Sequence, residues 1–88
     1  MPNLELIALA ESLVVAGKLP SGQASRTFGG LSSGGSCALC GGEIARDSVE
    51  IEVETTIDGQ RLHTTFHPRC HSAWIVAVSQ LSGTCDAV

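Results

Sequence analysis

The sequence predicts a small α+β domain, and three observations lead to that fold class. Residues 48–57 alternate between apolar and polar side chains, which is the pattern of a half-buried strand. Apolar residues recur at helical spacing near each end of the chain. Two pairs of metal-ligand residues, Cys37-x2-Cys40 and His67-x2-Cys70, flank the strand pattern. We therefore expect a single domain, residues 1–88, in which a metal-binding unit at residues 37–83 follows an N-terminal helix.

The chain is short for a self-sufficient core. It has 88 residues, and positions 20–36 include five glycines and five serines, so few positions remain for apolar packing. Without positions 20–36, about 70 residues remain to build a core, and below about 70–80 residues a core rarely supplies more than about 3–5 kcal/mol of stability. We therefore expect a metal ion, disulfides or a partner chain to add stability.

The first predicted element is a helix over residues 3–17. Asn3 suits the N-cap, Glu5 lies in the positively polarised first turn, and Gly17 with Lys18 indicates the end. Apolar residues occur on nearly every side, which is typical of a buried helix. Two interpretations remain open: the helix packs on its own domain, or part of its surface is buried in a homodimer or against another partner.

Residues 20–36 are predicted to be a Gly/Ser-rich loop because of their turn-forming composition. Within the loop, RTFGG (residues 26–30) contains Phe28, one of three aromatic residues in the chain. Either Phe28 and Leu31 anchor the loop on the core, or the segment is a glycine-hinged recognition loop that exposes Arg26.

A β-hairpin is predicted after the first ligand pair. Residues 48–57 form its first strand, Asp58-Gly59 its two-residue turn, and residues 60–66 its second strand. This turn sets a register that brings the apolar residues of both strands to one face, as burial requires. The expected opposing pairs are Ile57 with Gln60, Thr56 with Arg61, Thr55 with Leu62, Glu54 with His63, Val53 with Thr64, Glu52 with Thr65, and Ile51 with Phe66. The glutamate face is expected to be solvated.

A second helix is predicted from about Pro68 to Ser82. Proline is favoured at the first helical position, and Gly83 suits the position after the last turn. Apolar residues recur at helical spacing from Cys70 onward, so Cys70 lies in the first turn.

The two ligand pairs together predict a structural zinc site formed by Cys37, Cys40, His67 and Cys70. Thiolate and imidazole pairs, each with two residues between them, suit tetrahedral zinc. His67 and Cys70 are three residues apart at a helix start, so both can face one point. The alternatives are metal-free structural thiols and a redox pair. A redox dithiol normally opens a helix after a strand, whereas Gly41-Gly42 follows here.

Three further residues compete as ligands. His63 is expected on the glutamate face of the hairpin, and His71 projects about 100° around the helix from Cys70. Cys85 follows the predicted helix end. Four protein ligands close a zinc site, whereas catalytic zinc keeps a position for water, so we expect no enzymatic activity.

We call the turn that carries Cys37 and Cys40 the knuckle. The order of knuckle, hairpin and C-terminal helix resembles the treble-clef zinc fold. In particular, CALCGGEI and DGQRLHTTFHPRC are similar to the first zinc unit of LIM domains, although no second unit follows. The segments GKLP, RTFGGLSSGGSCALCGGEI, VEIEVE and FHPRCHSAW resemble a group of small proteobacterial proteins with no assigned activity. The resemblance to this group implies His67 rather than His71 as the ligand.

Charge and composition narrow the expected partners. The net charge is −4, with five scattered Lys and Arg residues, which disfavours a nucleic-acid-binding zinc finger. No secretory signal or membrane-spanning run is present in the sequence, and reduced thiols suit the cytoplasm. We therefore expect a cytoplasmic zinc-binding module for protein–protein interaction. A nucleic-acid-binding regulator and a thiol redox or metal-handling protein remain the alternatives.

Overall fold

Two helices and a three-stranded antiparallel sheet form the fold in the computed structural model, which describes residues 4–21, 25–57 and 59–81. The elements are α1 (Leu4–Val15), β1 (Arg26–Leu31), β2 (Val49–Ile57), β3 (Gln60–Phe66) and α2 (Pro68–Leu81). The predicted cap at Asn3, the turn residue Asp58, the helix stop at Gly83 and the competing ligand Cys85 lie outside the described residues.

Helix α1 ends as its sequence predicts. Gly17 adopts a positive φ of 77°, a conformation that glycine reaches without steric cost. The Gly17 amide donates to the Val14 carbonyl at 3.0 Å, and the Lys18 amide donates to the Leu13 carbonyl at 2.8 Å. These two bonds form a Schellman motif, which satisfies carbonyls that the last turn leaves unpaired.

The predicted hairpin is confirmed together with its register. All seven expected pairs, from Ile57 opposite Gln60 to Ile51 opposite Phe66, occur between β2 and β3. Val53, Thr55 and Phe66 are buried on the face that α2 covers. The alternating pattern of β2 therefore determined which side of the hairpin faces the core.

The predicted loop at residues 20–36 contains a strand that the sequence did not indicate. Strand β1 pairs with β2 along its whole length, from Arg26 opposite Glu54 to Leu31 opposite Val49. Glycine is depleted in strands, so the central Gly-Gly favoured a loop. Pairing of the β1 backbone with β2 overrides that local preference.

The interpretation that Phe28 and Leu31 anchor this segment on the core is wrong. Phe28 is 45% exposed and Leu31 is 69% exposed. Neither of the described helices packs on β1. Helix α1 packs on α2, and α2 packs on β2 and β3. Arg26 is exposed, as the second interpretation expected, but it belongs to a strand rather than to a hinged loop.

The glutamate face of the hairpin is less solvated than predicted. Glu54 is only 8% exposed because β2 is the central strand and its neighbours cover the carboxylate. Arg61 Nε lies 3.7 Å from Glu54 Oε2, and His63 Nε2 lies 4.0 Å from the same oxygen. This buried carboxylate therefore has cationic or ionisable neighbours, which a buried charge requires.

The core joins the two helices to the inner face of the sheet. Phe66 and Trp74 stack with ring centroids 5.4 Å apart, and Ala10, Ala73 and Ala77 are fully buried where the helices pack. The Trp74 indole donates a buried hydrogen bond of 2.9 Å to the Pro20 carbonyl, which fixes the segment after α1 against α2. Of the elements described, neither helix is long and apolar enough to cross a membrane.

Candidate metal centre

The first half of the candidate site is a tight turn at residues 37–42. The Gly41 amide donates to the Cys37 carbonyl at 2.9 Å, and the Cys37 amide donates to the Gly42 carbonyl at 2.8 Å. Gly41 has a positive φ of 75°, which residues with a side chain rarely adopt. A Cβ atom at Gly42 would lie 3.4 Å from Cys40 Sγ, so the second glycine lets the backbone approach the sulfur.

The second half of the site is the start of α2. The His71 amide donates to the His67 carbonyl at 2.9 Å, so His67 immediately precedes the helix, and Cys70 lies in the first turn. Cys70 is fully buried and Cys37 is nearly so, whereas Cys40 is exposed. The Ala38 amide donates to the Thr65 carbonyl at 2.8 Å, which holds the knuckle against the end of β3.

The structure brings the four predicted ligands together. One ligand atom from each of Cys37, Cys40, His67 and Cys70 lies within 4.8 Å of the others. His67 Nδ1 is 3.4 Å from Cys40 Sγ and 3.9 Å from Cys70 Sγ. Three thiols and one imidazole at these separations can hold a metal ion.

The backbone of Glu43 orients the histidine, a role that the sequence analysis missed. His67 Nε2 lies 3.2 Å from the Glu43 carbonyl oxygen, which can only accept a hydrogen bond. The Nε2 atom must therefore carry the proton, and Nδ1 is left with a free lone pair facing the sulfurs. A carbonyl partner that fixes the tautomer in this way is typical of metal-binding histidines. Every residue has a carbonyl, so no side-chain pattern could indicate this contact.

The electrostatics of the thiols favour a bound cation. Burial acts to raise the pKa of Cys37, but hydrogen bonds from the backbone of the 37–42 turn and from the His67 amide lower this pKa to about 7. Burial raises the pKa of Cys70 to about 12, and the nearby Cys37 and Cys40 sulfurs add to the rise. Three thiolates cannot share so small a volume without repulsion, and a metal ion would remove that repulsion.

The histidines that competed as ligands have other surroundings. His63 lies on the glutamate face, where its Nδ1 atom is 3.3 Å from Glu52 Oε2. The His71 ring lies 6.0 Å from the Phe66 ring and 6.1 Å from the Trp74 ring, and burial lowers the pKa of its imidazole. In the part of the chain that the structure describes, neither residue belongs to a group able to hold a metal.

Comparison of the chain with protein-family models, with curated proteins and with solved structures found no match. The fold and the site therefore define the class of protein directly. It is a small α+β protein with a Cys3His group that can hold one metal ion.

Proposed function

We propose that Cys37, Cys40, His67 and Cys70 bind one structural zinc ion. The observation that carries this proposal is the separation of the ligand atoms. Zinc–sulfur bonds of about 2.3 Å and zinc–nitrogen bonds of about 2.0–2.1 Å place tetrahedral S and N ligands about 3.6 Å apart. The two Nδ1–Sγ distances, 3.4 and 3.9 Å, lie on either side of that value.

A structural rather than catalytic role follows from the number of ligands. Four protein ligands complete a tetrahedron and leave no position for a reacting water molecule. The ligands come from the knuckle and from the start of α2, which lie at one end of the β2–β3 hairpin. Zinc would join these parts, and its binding free energy would contribute to folding. We therefore propose a protein without enzymatic activity.

The arrangement also supports a treble-clef type of zinc fold. A knuckle, a β-hairpin and a helix that begins between its two ligands occur in that order in the chain. This order is the basis of the resemblance to the first zinc unit of LIM domains. Helix α1 and strand β1 are additions that precede such a unit in the chain.

We further propose that the zinc-stabilised domain binds another protein. Leu31 and Val49 are opposing residues of β1 and β2, and both are largely exposed. Helix α1 buries Ile7, Ala10 and Val14 but exposes Leu4 and Val15. The adjoining Leu31 and Val49 side chains favour a protein partner, and the exposed Leu4 and Val15 of α1 would suit a second copy of the chain.

Native mass spectrometry of the purified chain, with and without a chelator, tests the zinc proposal. We expect one zinc ion per chain, loss of that zinc in Cys70→Ser, and retention of it in the control Cys85→Ser. A folded chain that carries no metal would contradict the proposal. The same spectra report a dimer, and Leu4→Glu should dissociate any dimer that forms through α1.

Two further measurements separate the proposed function from its alternatives. Slow alkylation of the thiols in the zinc-loaded protein is expected, whereas a labile zinc with a rapidly modified Cys40 would indicate redox or metal handling. Fluorescence anisotropy with labelled DNA and RNA should show no binding. An increase in anisotropy that weakens steeply with salt would instead indicate a nucleic-acid-binding protein.

A further inference from the structure

A polar cavity lies on the glutamate face of the sheet, apart from the four metal ligands. It has a volume of about 340 Å³ and is lined by Ser25, Arg26, Glu54, Thr56 and Arg61. Two of the five Lys and Arg residues in the chain therefore converge on one cavity in a protein whose net charge is −4. We call these five residues the arginine pocket.

The strand register explains why the two arginines meet. Arg26 of β1 lies opposite Glu54 of the central strand β2. Arg61 of β3 lies opposite Thr56, two residues further along the same face of β2, and its Nε atom is 3.7 Å from Glu54 Oε2. The Glu54 carboxylate thus lies beside Arg61, and among the described residues no ion pair joins it to Arg26.

The donors of the arginine pocket remain available to a ligand. The 3.7 Å separation between Arg61 Nε and Glu54 is longer than a hydrogen bond, and the Arg61 side chain is 77% exposed. The Arg26 guanidinium carbon lies 5.9 Å from the centre of the Phe28 ring, a cation–π contact that leaves its N–H groups unused. The Ser25 and Thr56 hydroxyls are hydrogen-bonded to each other at 3.2 Å, so one of their two O–H donors is left for a ligand.

We propose that the arginine pocket binds a phosphate-type oxoanion. Guanidinium groups present paired N–H donors that match the oxygens of phosphate, and hydroxyl groups can donate to a remaining oxygen. Glu50 and Glu52 lie on the same face of β2 and would repel an extended polyanion. The ligand is therefore a single phosphoryl group, either free phosphate or the phosphate of a phosphorylated peptide, rather than a nucleic acid. This inference does not depend on the metal centre.

Titration of the metal-loaded, ¹⁵N-labelled chain with inorganic phosphate, followed by NMR at constant ionic strength, tests the proposal. We expect saturable shifts of the Thr56 amide and of the side-chain Nε–H signals of Arg26 and Arg61. Replacement of either arginine by glutamine should weaken binding about 10-fold or more, because each arginine would supply hydrogen bonds from a charged donor to the phosphoryl oxygens. Arg46→Gln is the matched control and should leave the affinity unchanged.

Two additions keep the outcome decisive. Arg61→Lys retains a positive charge beside Glu54, so it preserves the fold while removing the paired donors, and it should also weaken binding. A phosphoserine peptide, compared with its unphosphorylated form, shows whether the phosphoryl group comes from a peptide. The proposal is overturned if chloride alone gives the same shifts, if no shift saturates, or if Arg46→Gln loses as much affinity as the pocket variants.

Discussion

The proposed zinc site makes the thermal stability of the protein depend on free zinc. The perturbation is a series of buffered zinc concentrations, each tenfold apart, applied to the same protein. Knuckle and helix ligands lie about 30 residues apart in the chain and meet only when the hairpin has formed. Zinc should therefore bind the folded state far more tightly than the unfolded chain.

The size of the effect follows from linkage. Above the dissociation constant, each tenfold rise in free zinc adds about 1.4 kcal/mol to the free energy of unfolding. Unfolding entropies near 2.1 cal/mol/K per residue give about 0.18 kcal/mol/K for a chain of this length. Each tenfold step in free zinc should thus raise the melting temperature by roughly 8 °C.

Circular dichroism at increasing temperature, in zinc buffers at fixed pH, measures this slope. Cys85→Ser should keep the full slope, since Cys85 is not one of the proposed ligands. Cys37→Ser with Cys70→Ser should abolish it, because two of the four ligands are lost. A melting temperature of the unmodified protein that does not change with free zinc would refute the reasoning.

Three other substitutions test the packing around the site, each by urea unfolding of the metal-loaded protein. Gly41→Ala should lower the free energy of unfolding by about 1–2 kcal/mol, because residue 41 has a φ of 75°. The control Gly35→Ala should lower it far less, because no atom lies within 4 Å of the added Cβ. Equal losses in the two variants would contradict this explanation. Trp74→Phe removes the indole N–H that donates to the Pro20 carbonyl and should lower the free energy of unfolding by about 1–3 kcal/mol. An unchanged urea midpoint would show that this hydrogen bond contributes little. Val53→Ala removes a fully buried pair of methyl groups from β2, and we expect a loss of about 2–3 kcal/mol.

Much of the β2–β3 hairpin and of the candidate metal centre could be predicted because their signals are local. The alternation of β2 and the two-residue turn determine the register, which matches at all seven pairs. The spacing of the two ligand pairs places His67 and Cys70 on one side of the first turn of α2. These features depend on residues that are close in sequence or joined by one short hairpin.

The remaining features depend on contacts between distant parts of the chain. Strand β1 carries Gly29-Gly30 and forms because its backbone pairs with β2, so its own sequence favours a loop. Pairing with β1 makes β2 the central strand, and Glu54 is buried as a result. The contact between His67 and the Glu43 carbonyl depends on how the knuckle docks, which residue types do not encode.

Trp74 gives the protein a fluorescent reporter at a single position. The chain has one tryptophan and no tyrosine, so emission excited at the indole band comes from one side chain. That side chain is 2% exposed, stacks on Phe66 and is hydrogen-bonded to Pro20, between the sheet and the segment after α1. Its emission should shift to longer wavelength when α2 separates from these neighbours. Comparison of that shift with the release of the proposed zinc ion would show, without any label, whether α2 separates from these neighbours before, with or after the ion is lost.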